Sequence, residues 1–139
     1  MEARDLRFED IAVGDSASFE RTITQEDIET FATLSGDHNP LHVDAAYAAT
    51  TPFKKPLVHG MLVGSLCSTL VGMYLPGKRC LYLEQTLQFK KPVYAGDALT
   101  VTGTVTHKSD VTRVLTISIS INKSGEETVA GTAKVQVLE

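Results

Sequence analysis

Residues 60–77 read GMLVGSLCSTLVGMYLPG. The run is apolar around a helical wheel except for Gly, Ser, Cys and Thr, and Pro76 with Gly77 ends it. A helix that is apolar all round is a buried helix, so the rest of the chain must cover it. Gly64, Ser65, Ser68 and Gly72 thin one side and predict close packing against backbone. The stretch is too short and too rich in small polar residues to span a bilayer, so no membrane partner is expected.

The covering surface follows it. Residues 81–93, 98–109, 112–124 and 127–139 are rich in Val, Ile, Leu and Thr and alternate with period two. KSGEE, at 123–127, predicts a hairpin between the last two, and SDVT, at 109–112, a second turn. Upstream, residues 13–24 tend towards strand, with Phe19 and Ile23 as apolar anchors. Thr24 with Asp27 reads as a capping pair that opens a helix over 25–35, with Ile28, Phe31, Ala32 and Leu34 on its apolar face and Gly36 at its end. Residues 44–50 predict a short capped helix, and 51–60, with two prolines, a loop. Helices preceding a run of antiparallel strands make an α+β chain. A strongly curved sheet can wrap the apolar helix, and a second subunit can complete the cover.

The chain has 139 residues, with no repeat or linker, and reads as one domain over 1–139. A formal charge of −4 gives no global attraction to nucleic acid. Cys67 and Cys80 match no zinc or redox spacing and read as reduced thiols. Residues 1–14 carry four acidic residues and no apolar core, unlike a signal peptide, so a cytoplasmic location is expected.

The chemistry concentrates in SGDHNPLH, residues 35–42. His38 and His42 are four apart, but Pro40 interrupts a shared helix and no other ligand has a metal-site spacing, so no metal is expected. Asp37 and Asn39 can simply form Asx turns, with His38 an exposed loop residue. Alternatively, Asp37 and His42, held across a rigid Asn-Pro, converge on one water as an acid/base pair. Gly60 would then lie in the first turn of the apolar helix, where free N–H groups can polarise a carbonyl oxygen. Spacing alone leaves these readings open.

The segment FATLSGDHNPLHVDAAYAATTPFKKPLVHGMLVGSL, 31–66, resembles the hydratase signature of the MaoC-like hotdog proteins, most of all the short (R)-specific enoyl-CoA hydratases. Its D-x-N-P-x-H element stands at 37–42 and its P-L-V-H-G-M element at 56–61, and the similarity spans most of 12–106. The resemblance implies a hotdog fold, a long central helix wrapped by a curved antiparallel sheet, paired as a homodimer or higher even oligomer. It implies reversible hydration of a trans-2-enoyl-CoA to an (R)-3-hydroxyacyl-CoA, joining fatty-acid oxidation to polyhydroxyalkanoate or lipid synthesis. Asp37 and His42 would hold the catalytic water, and the Gly60 N–H the thioester carbonyl. Asn39 would support the turn or the water, and Ser68 matches a family serine near the aspartate. His59, Lys54, Lys55, Lys90 and Lys91 are candidate contacts for the CoA thioester, and Leu62, Leu66 and Val71 candidate acyl-pocket walls. Water addition moves no hydride, so no cofactor is expected beyond the CoA of the substrate. The rivals are a dehydratase acting on acyl carrier protein and, further off, a hotdog thioesterase.

Overall fold

The structure is a computed structural model describing residues 1–139. Five strands form one antiparallel sheet in the order β1-β3-β4-β5-β2: β1 Ser16–Thr22, β2 Cys80–Phe89, β3 Ala98–Ser109, β4 Val114–Lys123 and β5 Glu126–Val137. The period-two segments thus become β2 to β5, within a few residues at each end. Register shifts at 105/107, 82/84 and 121/122 mark bulges, which bend a sheet and sharpen its twist. The β4–β5 turn carries Ser124 and Gly125 at φ 50° and 78°, the paired positive values a tight hairpin needs.

Five short helices lie before β2: α1 Gln25–Ser35, α2 Pro40–Val43, α3 Ala45–Ala49, α4 Gly60–Gly64 and α5 Leu66–Thr69. A π-helical turn, Leu70–Tyr74, continues α5. The Thr24 cap forms as expected: its hydroxyl accepts from the Asp27 N–H at 3.2 Å, and the Asp27 carboxylate accepts from the Thr24 N–H at 2.9 Å. Gly36 ends α1 in the left-handed region at φ 79°. Ile28 and Ala32 are buried, but Leu34 is 83% exposed. Six residues beyond Ile28 it has rotated off the apolar face, which corrects the expected stripe.

The expected single apolar helix is a segmented rod. At Ser65 the hydroxyl donates to the Leu62 carbonyl at 2.6 Å, and the Ser65 N–H is shared between the Met61 and Leu62 carbonyls. Such back-bonding competes with the regular ladder. At the far end Leu75 N–H reaches Leu70 O at 3.0 Å, five residues back.

Val63, Leu66, Cys67, Leu70 and Val71 share one core with Leu99, Val101, Leu115, Ile117 and Val135 of the sheet. The approach is close at two glycines. A Cβ on Gly64 would sit 2.6 Å from Leu87 of β2, and one on Gly103 of β3 would sit 2.2 Å from Leu70. Gly64 therefore is a thin contact, but Ser65 and Ser68 are exposed and Gly72 meets nothing within 4 Å. The rod is not buried all round either: Met61 is 61% exposed and Leu62 half-buried. One sheet covers one side of a helix, and within a single chain the other side stays open.

Candidate active site

The two sequence elements meet where α1, α2 and α4 converge. After Gly36, Asp37 N–H donates to Ser35 Oγ at 3.1 Å, and Asn39 N–H to Asp37 Oδ1 at 3.1 Å, an Asx turn. Asn39 then caps α2, its Oδ1 accepting from Leu41 N–H at 2.9 Å, with Pro40 at the first helical position. The proline thus starts a new helix; its missing N–H would have been unpaired there in any case. Asn39 thus braces the turn between α1 and α2.

One helical turn later His42 Nδ1 donates to the carbonyl of Leu57 at 2.9 Å, while Leu57 N–H donates to Leu41 O at 3.1 Å. Since a carbonyl only accepts, Nδ1 carries the proton and Nε2 presents a lone pair. His59, the residue ahead of α4, is 2% exposed. Its Nε2 donates to the backbone carbonyl of Asp37 at 3.0 Å. Its ring stacks on His42 with centroids 4.0 Å apart and packs against Phe31 at 4.8 Å. Donor atoms of Asp37, His42 and His59 all lie within 4.8 Å of one another. One nitrogen of each ring is already bonded to a carbonyl, and His59 Nδ1 is enclosed, so His42 Nε2 and the Asp37 carboxylate are the acceptors of this cluster left to hold a polarised water. His38 is exposed and stands outside this cluster.

Gly60 opens α4, and its N–H and that of Met61 have no hydrogen-bond partner in the chain. Unpaired first-turn amides are free to bind an acceptor. The Phe89 ring, at the end of β2, stands over Gly60, 3.0 Å from where a Cβ would be. A cavity of about 350 Å³ opens here, between His42, Gly60, Phe53 and Phe89, with Val58, Val63, Val93 and Val129 as its apolar floor and Lys90 and Lys91 at its rim.

Several expected contacts change. His59 is enclosed by Phe31 and His42, so it cannot meet the polar end of a substrate. Ser68 is exposed and its hydroxyl makes no hydrogen bond to Asp37. Leu66 and Val71 are buried in the helix–sheet core, and Leu62 faces a separate groove with Phe31 and Leu34; none of the three lines the cavity beside Gly60. Half of the expected basic set is neutralised: Lys90 pairs with Glu127 and Lys91 with Glu126 at 3.3 Å, while Lys55 lies 4.5 Å over the Tyr94 ring and keeps its charge. The Glu127 carboxyl is held below its usual range by the Lys90 ammonium and then the Ser120 hydroxyl. Lys54 alone among the four is unpaired, in a left-handed conformation at φ 69°. Phe53 and Phe89 were not legible as site residues, because only the fold brings a loop and a strand end over Gly60.

Known proteins resemble this chain over nearly its whole length. The model of the MaoC like domain matches residues 10–131. An (R)-specific enoyl-CoA hydratase of Rhodospirillum rubrum is 43% identical, the match covering 99% of this chain and 97% of that protein. One of Aeromonas caviae is 42% identical over 91% of this chain and 96% of its own length. Among solved structures, an R-hydratase of Pseudomonas aeruginosa superposes with a TM-score of 0.93 at 38% identity, covering 99% of this chain and 88% of that one. The (R)-hydratase of A. caviae gives a TM-score of 0.88 at 42% identity, over 91% and 97%. With both signature elements folded onto one cavity and the similarity running the length of the chain, this protein belongs to the family of the MaoC-like domain and has its hotdog fold.

Proposed function

We propose that the protein catalyses the reversible addition of water to a trans-2-enoyl-CoA, forming an (R)-3-hydroxyacyl-CoA. The carrying observation is the pairing of Asp37 and His42 beside the unpartnered N–H of Gly60. The Asp37 carboxylate and His42 Nε2 are both acceptors, so together they can hold the two hydrogens of one water. That water's lone pair then faces outward, towards C3 of a bound enoyl thioester. The Gly60 N–H donates to the thioester oxygen and stabilises the negative charge that develops on it as C3 is attacked. The Asp37–His42 pair takes one proton from the water as the C3–O bond forms and the C2–C3 π electrons move towards the thioester, and the pair returns one proton to C2, so it ends as it began. No redox group, metal or other cofactor enters this balance. The chain's likeness to (R)-specific hydratases over nearly its whole length supports this reading over the acyl-carrier-protein dehydratase.

We further infer a homodimer formed edge to edge through β2. β2 is an outer strand of the sheet, and Leu81, Leu83 and Phe89 on it are exposed, as is Met61 of the rod. An unpaired edge with apolar side chains is a template for a second strand, and a two-fold axis through β2 would continue the sheet. Its free thiols and lack of a helix able to cross a membrane support a cytoplasmic place.

The test follows the enoyl absorbance of crotonyl-CoA and of longer trans-2-enoyl-CoA thioesters. Loss of absorbance without free thiol supports hydration, and chiral analysis must return the (R) product. Release of thiol would assign a thioesterase instead. Turnover confined to enoyl-acyl-carrier-protein would favour the dehydratase. Asp37→Asn keeps the Asx turn and should lower kcat by at least about 10².

A further inference from the structure

His59 uses its side chain in a way that burial alone does not explain. It is enclosed at 2% exposure, yet its Nδ1 has no hydrogen-bond partner. The Nε2 proton is committed to the Asp37 carbonyl, so Nδ1 is an unprotonated acceptor left dry. Buried polar atoms of this kind carry a desolvation cost, and an apolar residue of similar shape would avoid it. The imidazole is placed to do something a leucine or phenylalanine there would not.

We propose that His59 is the positioning residue that registers the water-holding turn against the carbonyl-binding amide. Three connections converge on it. Its Nε2–H grips the backbone of Asp37, 22 residues upstream, at 3.0 Å. Its ring face lies on His42 at 4.0 Å and 28°. Its own peptide carbonyl begins α4, accepting from Leu62 and Val63 N–H at 3.0 and 3.1 Å, so its neighbour Gly60 is fixed with it. Asp37 and His42 thus share a support with Gly60, although the turn and α4 belong to separate elements joined by the 51–58 segment. Phe31 backs the far side of the ring at 4.8 Å and stops it tilting away.

Effective catalysis by a held water needs the acceptors and the amide placed within a fraction of an ångström of one another. A hydrogen bond to Asp37 sets direction, while the stack on His42 sets only separation. Loss of the bond should therefore cost more than loss of the ring. This inference rests on the hydratase reading for its kinetic consequence, but not for its geometry.

Two substitutions separate the connections. His59→Gln keeps an N–H donor at the reach of Nε2 and removes the ring; His59→Phe keeps the stack and removes the donor. With crotonyl-CoA, we expect His59→Phe to lower kcat at least about twentyfold with KM within about twofold, and His59→Gln to stay within about fivefold of wild type. A Phe variant with wild-type kcat, a loss confined to KM, or a Gln variant as impaired as Phe would overturn the proposal. A ring-nitrogen NMR spectrum gives an independent reading. It should show His59 protonated at Nε2 and His42 at Nδ1 in the wild type, and an altered His42 signal in His59→Phe. An unchanged His42 signal would also overturn it. If wild type hydrates no enoyl thioester, the hydratase reading falls, and the spectra alone decide the registration.

Discussion

The Nδ1 atom of His42 lies 2.9 Å from the carbonyl oxygen of Leu57. That bond crosses from α2 to the segment leading into α4, and it decides which ring nitrogen is left free for another partner. Because Nδ1 donates, Nε2 faces the site as an acceptor. The side chain is thus both a clasp and a chemical group.

His42→Asn separates the two roles. The asparagine amide can reach Leu57 as Nδ1 does, but it has no atom where Nε2 stood. We expect a folded protein, with an unfolding midpoint near wild type and kcat down by at least about 10². His42→Ala should lose both the activity and the clasp, the latter costing about 1 kcal/mol in urea unfolding. Activity near wild type in His42→Asn would remove His42 from the reaction.

The Gly60 amide can be tested by a pair of substitutions. Proline is well tolerated at the first position of a helix, and His59 ahead of it has the extended ψ of 133° that proline prefers. Both Gly60→Ala and Gly60→Pro add a Cβ near Phe89, whose half-exposed ring can give way. Only proline removes the N–H. The ratio of their kcat values should therefore report the amide, at about 10²–10³ in favour of alanine. Equal rates would show that the thioester oxygen is bound elsewhere.

Gly131 tests the attachment of β2. It pairs with Leu87 of β2 on one side and Ile119 of β4 on the other. A Cβ there would stand 2.0 Å from the backbone carbonyl of Thr86. A backbone oxygen cannot swing aside as a side-chain end does, so β2 must shift. Gly131→Ala should lose at least about 2 kcal/mol in denaturant titration and weaken any dimer built on β2. A midpoint unchanged from wild type would contradict the close approach.

Asp27 gives an acid dependence with a defined sign. The Thr24 N–H chiefly holds its carboxyl below the usual carboxylate range; burial opposes this, and the Thr24 hydroxyl and Arg21 add to it. A folded pKa below the unfolded one gives stability that is whole above the unfolded value near 4 and is lost as pH falls through the folded value. Urea unfolding of wild type and Asp27→Ala should therefore differ by a constant amount above about pH 5 and converge below about pH 4. A gap that widened on acidification would reverse the sign.

The local signals were legible because each rests on neighbours in sequence. Thr24 and Asp27 cap α1, Gly36 ends it, and the period-two runs become strands, since these outcomes depend on a few adjacent residues. Leu34 was misplaced because an apolar residue six positions along a helix has left the buried face. The continuous rod over 60–74 became segments because the Ser65 hydroxyl bonds its own preceding turn, a competition that hydrophobicity does not register.

Read alone, the residue order already assigns this chain a helix-then-sheet domain of the MaoC-like family, with Asp37, His42 and Gly60 in two spaced elements. It takes the folded chain to bury His59 between Phe31 and His42, to pair Lys90 and Lys91 with Glu127 and Glu126, and to set Phe89 over Gly60. Motifs are legible because they are local in the chain. Burial, charge pairing and cavity walls are set by residues tens of positions apart, whose meeting depends on the curvature of the sheet and the path of the rod across it.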